Sequence, residues 1–339
     1  MNILVVQTSF PGDIVLSTPV ISALRKEYKD AALSVLTTYS GKELLVNSPD
    51  IDEIIVYDKR GKDRGLNGFI KILNQIKVKG FDIAFSLHRS YRTSILLFLS
   101  RIKVRVGFKD ARLSFLYTER IKRPKDQHDV IRNLSLLSYL GRNPSELSTK
   151  LRLYPEDPGV VFERLGISDC LAAEYAVIAP GSVWRTKEWE VEGFKSVARY
   201  LTDRGIKVLV VGSKKEAEAG RIVCSGSPAV NLTGKTSLSD LVSIVSKCSI
   251  VVCNDSLPLH LASAFKRRVV AIFCSTVPSF GFAPWKTESV IIEPGEMSCR
   301  PCGRHGRVRC PLGTMACSKG ISPDKVISGI EKLLGRSDG

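Results

Sequence analysis

The sequence contains no uninterrupted apolar run near the roughly 18 residues that a membrane-crossing helix requires. The stretch ILLFL at 95–99 ends at Ser100 and Arg101. The opening residues, MNILVVQTSFPGD, have a short apolar run without a basic lead-in, which predicts a first β-strand and not a secretory signal. We therefore expect a cytoplasmic protein for which any membrane contact is peripheral.

Cysteine is absent from the first half of the chain, since all nine cysteines lie between 170 and 317. An odd number of thiols in a cytoplasmic protein argues against a complete disulfide framework, so most of them are expected to be buried thiols. Aromatic residues are also few, at 7%. Because the chain lacks the stacking platforms and reading motifs of nucleic-acid-binding proteins, nucleic acid is not an expected partner.

Acidic residues are outnumbered, with 34 Asp and Glu against 50 Lys and Arg, which gives a net charge of +16. On charge alone the partners are anions, among them nucleic acid, anionic lipid and phosphorylated sugars. The 339 residues, 44% of them hydrophobic, have the composition of a globular protein with two domains.

Strand-length apolar runs alternate with amphipathic stretches along the whole chain, the pattern of parallel α/β layers. The strands are nearly all Val, Ile and Ala, which indicates burial on both faces, as in doubly wound sheets. The predicted strands are 3–7, 32–38, 53–58, 82–87, 103–108, 175–180, 207–212, 249–254, 268–274 and 289–294. The predicted helices lie near 14–28, 41–47, 67–78, 91–101, 129–141, 191–203, 214–223, 238–247, 258–265 and 323–335.

A polar, proline-containing stretch at 141–159 interrupts this alternation and is the predicted linker. We therefore predict two Rossmann-like doubly wound domains, 1–155 and 156–322, followed by a C-terminal helix within 323–339. Packing of that helix back towards the first domain is one option. Two such domains are expected to place the carboxyl ends of their strands across a central cleft.

Asp13 directly follows the first predicted strand and stands at the start of the first helix, where a parallel sheet presents its ligands. Its carboxylate can serve as a helix cap. At the same position it can accept the proton of an attacking hydroxyl, as a general base does. The two roles can coexist.

The segment APGSVWRTKEW at 179–189 leaves a strand through Gly181 and reaches Ser182, Arg185 and Lys187 before the next helix. Glycine lets the backbone approach a ligand, and hydroxyl and amide donors meet phosphate oxygens. A cation offsets the charge that grows on a leaving group. The alternative interpretation is a solvated basic turn.

CNDSLPLH at 253–260 places Asp255 and Ser256 at another strand end, before a helix whose N-terminus favours an anion. In the simpler interpretation Asp255 caps this helix and His260 packs in the core.

Two more strand ends supply weaker signals. Glu216 follows a strand and is able to hold ribose hydroxyls, although a charged helix start explains it equally well. LTGKTSL at 232–238 forms a loop with Gly234 and Thr236, after which Ser237 or Ser239 caps a helix.

Basic residues cluster in loops of the first domain, and a solvated surface or an anionic acceptor would both account for them. They are Lys59, Arg60, Lys62, Arg64, Arg89, Arg92, Arg120, Lys122, Arg123 and Lys125.

The four cysteines Cys299, Cys302, Cys310 and Cys317 stand close together, with His305 among them. Four thiols on one irregular segment suit a structural tetrahedral zinc or disulfides, and separately packed thiols are the alternative.

In their order along two tandem α/β domains, these segments resemble the lipopolysaccharide heptosyltransferases of glycosyltransferase family 9, which have the GT-B architecture. The resemblance covers nearly the whole length. It is carried by PGD at 11–13, HRSYRT at 88–93, APGSVWRTKEW, LTGKTSL, NDSLPLHLASA at 254–264, and CRPCGRHGRVRCPLGTMAC at 299–317.

The resemblance implies an inverting transfer of L-glycero-D-manno-heptose from ADP-heptose to the inner core of lipopolysaccharide, without a catalytic metal. The acceptor would be Kdo-lipid A or heptosyl-Kdo-lipid A at the anionic inner face of the cytoplasmic membrane. The second domain would bind the nucleotide sugar and the first the acceptor.

The resemblance also assigns roles to residues. Asp13 matches the proposed base, while Ser182 and Lys187 match the hydroxyl and lysine that contact the diphosphate. The nucleotide-sugar set is Gly181, Ser182, Lys187, Glu216, Gly234, Thr236, Asp255, Ser256, Leu257 and His260. The acceptor set is Gly12, Lys59, Arg60, Arg64, Arg89, Arg92 and Arg120.

Leu257 departs from the family pattern, which has glycine after Asp-Ser. If the position required a positive φ, leucine would cost roughly 1 to 2 kcal/mol. If it required only a close backbone approach, the Cβ would narrow the phosphate or heptose pocket. The alternatives to a heptosyltransferase are another GT-B enzyme with a different nucleotide sugar and a non-catalytic anion- or membrane-binding protein.

Overall fold

The computed structural model describes residues 1–171 and 173–335. These residues divide into two compact units, one up to Tyr154 and one from Pro155 onwards. The last four residues of the predicted C-terminal segment lie outside the described residues.

The first unit is a parallel sheet covered by helices. Its strands are β1 (Asn2–Gln7), β2 (Ala32–Thr37), β3 (Glu53–Val56), β4 (Ile83–Ser86), β5 (Val104–Phe108) and β6 (Glu119–Ile121). Its α-helices are α1 (Pro11–Glu27), α2 (Tyr39–Leu45), α3 (Gly65–Lys79), α4 (Tyr91–Leu99) and α5 (Asp129–Leu134). Short 3₁₀ turns span Ser114–Leu116, Ser135–Leu140 and Pro144–Glu146.

The strand order of this sheet is β3-β2-β1-β4-β5-β6, with every neighbouring pair parallel. Sequence patterning missed β6 because this edge strand has three residues, ERI, and carries no apolar alternation. The predicted helix at 129–141 is an α-helix only to Leu134 and continues as a 3₁₀ helix. It ends, as expected, at Gly141, whose φ of +69° is the left-handed conformation of a C-cap.

The second unit repeats the architecture. Its strands are β7 (Tyr175–Ala179), β8 (Lys207–Val210), β9 (Val230–Asn231), β10 (Ile250–Asn254), β11 (Arg268–Ile272) and β12 (Ser289–Ile292). Its α-helices are α6 (Pro158–Arg164), α7 (Val191–Asp203), α8 (Ala217–Cys224), α9 (Leu238–Lys247), α10 (Leu257–Phe265), α11 (Ala316–Lys319) and α12 (Pro323–Leu334). 3₁₀ turns span Ser168–Cys170, Arg185–Lys187, Lys214–Glu216 and Pro278–Phe280.

The strand order of the second sheet is β12-β11-β10-β7-β8-β9, again parallel throughout. Counted within each unit, both orders are 3-2-1-4-5-6, the order of a Rossmann fold. The predicted fold class of two Rossmann-like doubly wound domains is therefore confirmed. The direction in which successive strands are added to the sheet reverses between β1 and β4 and between β7 and β10, and we call each of these places a reversal point. Doubly wound sheets bind ligands beyond the carboxyl ends of the strands at such a point.

The core of the second unit closes around Trp189, whose indole is fully buried against Phe194 at a ring-centroid distance of 4.9 Å. The indole N–H donates to the carbonyl of Ile321 at 2.9 Å, which satisfies its only donor. Val326 and Ile330 of α12 belong to the same core cluster. The C-terminal helix is thus part of the second unit; the option that it also reaches the first domain stays a prediction.

Within the described ranges, we find no helix with the length and apolar character needed to span a bilayer.

Candidate active site

The reversal point of the first sheet is built around His88, which follows β4. Its Nδ1 lies 2.9 Å from Oγ1 of Thr8, which follows β1, and 2.8 Å from Oγ1 of Thr93 on α4. Lys59 reaches the same point from the loop after β3, since its Nζ donates to the carbonyl of Thr8 at 2.7 Å. The ends of three strands are therefore tied together by polar side chains.

Three residues of the predicted acceptor set, Lys59, Arg60 and Arg92, gather here. Burial, together with the nearby charges of Arg60 and Arg92, lowers the pKa of Lys59 to about 8. The Arg60 guanidinium lies over the Phe10 ring, 5.2 Å from its centroid. This edge of the sheet concentrates positive charge that an anionic ligand would offset.

Asp13 stands in the first turn of α1, and its Oδ2 accepts the Phe10 N–H at 3.2 Å. It therefore caps the helix as its third residue and is not the N-cap itself, which is Phe10. Gly12 precedes it in the same turn. Asp13 is half-buried, and its carboxylate is held after the carboxyl end of β1 by the backbone N–H of Phe10.

The other predicted acceptor residues occupy different surroundings. Arg89 pairs with Asp110 at 2.6 Å. Arg64 is the exposed residue that precedes α3, and Arg120 is exposed on the edge strand β6.

His88 gives this edge a testable pH dependence. Burial of the ring and the nearby cations Lys59 and Arg89 lower the pKa of His88 to about 3. Between about pH 6.5 and pH 3 the unfolded chain therefore binds a proton that the folded chain does not bind. The free energy of unfolding should fall as the pH falls through this window.

We expect His88→Asn, whose amide oxygen can replace Nδ1, to remove this slope. When the pH is lowered from 6.5 to 4.5, the free energy of unfolding of the unmodified protein should fall by about 2 kcal/mol relative to that of the variant. Urea unfolding at a series of pH values measures it. His305→Asn, which replaces an exposed histidine, is the control. If the free energy of unfolding had the same slope against pH in both variants, its assignment to His88 would be refuted.

The reversal point of the second sheet is organised by Asn254, the last residue of β10. Its Nδ2 donates to the carbonyl of Pro180 at 2.7 Å, and its Oδ1 accepts the Trp189 N–H at 3.0 Å. One buried amide therefore fixes both ends of the loop that follows β7. Sequence reasoning missed this role, although Asn254 stands beside Asp255 in the quoted motif.

Lys187, within this loop, forms an ion pair with Asp255. Its Nζ lies 2.6 Å from Asp255 Oδ2 and donates to the Asp255 carbonyl at 3.3 Å. The hydroxyl of Thr276, beyond the end of β11, donates to the same carboxylate oxygen at 2.8 Å. The Asp255 carboxylate thus orients the ammonium group and does not cap α10. No sequence pattern links Thr276 to Asp255, and sequence reasoning missed it.

The side chain of Glu216 packs against Gly181, at the start of the same loop. A Cβ at Gly181 would lie 2.4 Å from Glu216 Cγ, so only glycine accommodates this contact. Glu216 Oε2 also accepts the Ser213 N–H at 2.7 Å, so it caps its own 3₁₀ turn while lying beside the loop. Gly234, with φ +73°, donates its N–H to the Gly212 carbonyl at 2.8 Å, which brings the Gly234 loop to this edge.

Ser182 is linked to Glu188, a residue that sequence reasoning did not select. The Ser182 N–H donates to Glu188 Oε1 at 3.2 Å, and Arg185 Nη1 donates to Oε2 at 2.8 Å. Burial, with a smaller contribution from Glu216, raises the pKa of Glu188. The Glu188 carboxylate therefore accepts the hydrogen bond of the Ser182 N–H. The same backbone donor is suited to a phosphate oxygen.

Helix α10 begins at Leu257, which has no positive φ, so the strain considered for leucine does not arise. Ser256 makes no side-chain cap to this helix; its hydroxyl donates to the Asn254 carbonyl at 3.2 Å. His260 is buried within α10. Thr236 is half-buried just before Ser237, whose hydroxyl caps α9 by accepting the Asp240 N–H.

The cysteine-rich segment, residues 299–317, makes hydrogen bonds to neighbouring loops. All nine cysteines are free thiols. Among the described residues, no three or more His, Cys, Asp or Glu side chains are grouped to hold a metal ion. Cys299, Cys302 and Cys310 lie near enough to Cys317 to contribute to its raised pKa, although burial is the largest cause. The zinc, disulfide and separately packed thiol alternatives stay predictions. The Cys302 N–H donates to the Ser275 carbonyl at 2.9 Å, which fastens the segment beside β11.

Comparison with known proteins identifies the family of this chain. The family model described as glycosyltransferase family 9 (heptosyltransferase) matches residues 69–310, more than half of the chain. The chain is a member of glycosyltransferase family 9. The family 9 membership predicted from the sequence is confirmed, and the protein is a glycosyltransferase.

Relatives of this family 9 chain are similar over most of its length. Lipooligosaccharide heptosyltransferase 2 of Haemophilus influenzae is 25% identical over 303 residues, which cover 83% of this chain and 85% of the relative. A family 9 glycosyltransferase structure from Veillonella parvula has a TM-score of 0.85 at 23% identity, covering 99% and 98% of the two chains. The E. coli heptosyltransferase WaaC, solved with ADP, has a TM-score of 0.73 at 19% identity, covering 98% and 100%. The two structures share the fold of this chain.

Proposed function

We propose that this family 9 enzyme transfers L-glycero-D-manno-heptose from ADP-heptose to the inner core of lipopolysaccharide, with inversion at the anomeric carbon. The observation that carries the proposal is the Lys187 ammonium, fixed by Asp255 beyond the carboxyl ends of β7 and β10. This is the position at which a doubly wound sheet binds a nucleotide. The WaaC structure with ADP supports the choice of an adenine nucleotide.

In this mechanism the second unit binds the donor. Lys187 stabilises the negative charge that grows on the departing ADP, so the reaction needs no catalytic metal. The hydroxyls of Ser182 and Ser256 and the N-terminus of α10 bind the diphosphate. Glu216, with Gly181 and Gly234, holds the ribose side, while Thr236, Leu257 and His260 line the rest of the donor pocket.

The first unit binds the acceptor and supplies the base. An acceptor hydroxyl gives its proton to Asp13 as its oxygen forms a bond to the anomeric carbon. The bond from that carbon to the diphosphate oxygen breaks, and ADP leaves with the electron pair. Attack on the face opposite the leaving group inverts the configuration.

The basic residues of the first unit bind the phosphates and carboxylates of Kdo-lipid A or heptosyl-Kdo-lipid A. The centre of this surface is formed by Lys59, Arg60 and Arg92. Its periphery is formed by Arg64, Arg89 and Arg120. The charge of +16 also favours a peripheral position on the anionic inner face of the cytoplasmic membrane.

Incubation with ADP-heptose and each of the two acceptors, followed by mass spectrometry, tests the proposal. We expect an acceptor heavier by one heptose and free ADP in equal amounts. Transfer from a UDP- or GDP-sugar alone would replace the donor assignment. Binding of anionic vesicles without any transfer, and undiminished in Asp13→Ala and Lys187→Ala, would favour the non-catalytic alternative.

A further inference from the structure

The cysteine-rich segment packs directly on the turn that carries Lys187. The Arg307 N–H donates to Thr186 Oγ1 at 2.8 Å, and the Thr186 N–H donates back to the Arg307 carbonyl at 3.1 Å. Gly306, with φ +76°, passes so close that a Cβ there would lie 3.1 Å from Lys187 Cγ. The backbone of this segment therefore packs directly against the side chain of Lys187.

The same segment braces the loop after β11 through Arg300. One nitrogen, Arg300 Nη2, lies 3.1 Å from the Phe273 carbonyl, 2.6 Å from the Thr276 carbonyl and 2.5 Å from a carboxylate oxygen of Glu293. Its two N–H groups are therefore shared among three acceptors. The side chain of Arg300 is only 12% exposed, whereas that of its partner Glu293 is 37% exposed, so the guanidinium is buried with one side of the ion pair open to solvent. Arg300 thereby fixes the backbone of Thr276.

Thr276 passes this constraint on to Asp255. Its side chain is buried, and its hydroxyl donates to the Asp255 oxygen that pairs with Lys187. A carboxylate with this oxygen held on two sides cannot rotate without losing a charge-assisted hydrogen bond. The contacts thus run in order from Arg300 to Thr276, Asp255 and Lys187.

The geometry at Lys187 gives this order a consequence for ligand binding. An ammonium group has three N–H donors, and Asp255 accepts two of them through Oδ2 and its carbonyl. With two directions fixed, the direction of the third N–H is fixed as well. Loss of the Thr276 hydroxyl would free the carboxylate to turn and would carry the ammonium with it.

We propose that Thr276 and Arg300 are positioning residues that orient Lys187 through Asp255, so that the cysteine-rich segment is part of the donor-diphosphate site. This inference rests on the proposed role of Lys187 at the diphosphate. Neither residue is assigned contact with the reacting atoms.

The test compares Thr276→Val, which keeps the shape and removes the hydroxyl, with Thr276→Ser, which keeps the hydroxyl. Thr287→Val is the matched control because its hydroxyl donates to the Arg267 carbonyl at 2.9 Å, at the amino ends of β11 and β12. The readouts are the affinities for ADP and for inorganic pyrophosphate by calorimetry, kcat and KM for the donor, and Tm.

We expect Thr276→Val to weaken both ligands about tenfold and to lower kcat, since a hydrogen bond to a charged group is lost. Thr276→Ser should restore both properties, and Thr287→Val should change only Tm. Equal ligand affinities in Thr276→Val and the unmodified protein would overturn the inference, as would equal losses in Thr276→Val and Thr287→Val.

Arg300→Lys provides a second route if Thr276→Val fails to fold. It keeps the charge beside Glu293, but its shorter, more flexible side chain does not hold an N–H donor where Arg300 Nη2 stands, so we expect a smaller loss of pyrophosphate affinity in the same direction. An unchanged affinity would contradict the inference.

The two proposals fail separately. Absence of product from the unmodified protein with ADP-heptose overturns the proposed function. The order of pyrophosphate affinities among the Thr276 variants decides the positioning role. A protein that binds neither ADP nor pyrophosphate overturns both.

Discussion

Replacing Asp13 with asparagine is expected to lower kcat about 100-fold or more while the affinity for ADP stays unchanged. The asparagine amide oxygen can still accept the Phe10 N–H, so the start of α1 is retained and only the basic carboxylate is lost. General-base assistance is typically worth 100-fold or more. Steady-state kinetics with ADP-heptose and calorimetry with ADP measure the two quantities.

Asp240→Asn is a suitable control because Asp240 occupies the corresponding place in α9, where its Oδ2 accepts the Ser237 N–H at 2.8 Å. It should affect stability and leave turnover unchanged. Asp13→Ala also removes the hydrogen bond that Asp13 accepts from the Phe10 N–H, worth about 0.5 to 1.5 kcal/mol of stability. Normal turnover in Asp13→Asn would remove Asp13 from the proposed role of base.

Replacing Lys187 with alanine should weaken ADP binding and lower kcat on the order of 100-fold or more, because removing one group that stabilises transition-state charge commonly has such an effect. The variant should also lose about 3 kcal/mol of stability, since the Asp255 carboxylate, 7% exposed, would be buried without its cation. Calorimetry, steady-state kinetics and urea unfolding measure these three effects.

The double variant Lys187→Ala with Asp255→Asn separates the two losses. It should recover much of the stability, because no buried charge is left unpaired, and none of the activity. Arg185→Ala is the control within the same turn: its side chain is 53% exposed and pairs with Glu188, so we expect at most a severalfold effect. An ADP affinity in Lys187→Ala equal to that of the unmodified protein would contradict the phosphate site.

Much of the fold could be predicted from local patterns. The ten predicted strands and the helices between them are present, because Val- and Ile-rich runs and amphipathic stretches are properties of adjacent residues. The missed strands β6 and β9 have three and two residues, too short for any periodicity. The strand order could not be obtained this way, because pairing between β1 and β4 joins segments about 80 residues apart in the chain.

The site divides in the same way. Asp13, Gly181, Lys187 and Asp255 were selected because each lies in the segment that follows a strand and leads to the next helix, and that position is visible in the sequence. The partner that gives a side chain its surroundings is not visible. Asp255 was selected as a ligand for phosphate or sugar, which stays a prediction. The contacts of its carboxylate with Lys187 and Thr276 could not be seen in the sequence.

The sequence by itself determined the class of fold, the family and the strand ends at which polar side chains are displayed. The tertiary structure alone decided that His88 joins Thr8 to Thr93, that Glu216 packs against Gly181, and that Arg300 braces the loop behind Asp255. The physical reason is that propensity and periodicity act between neighbours in the chain. Hydrogen bonds and ion pairs act over about 3 Å in space, between residues that only the folded sheet brings together.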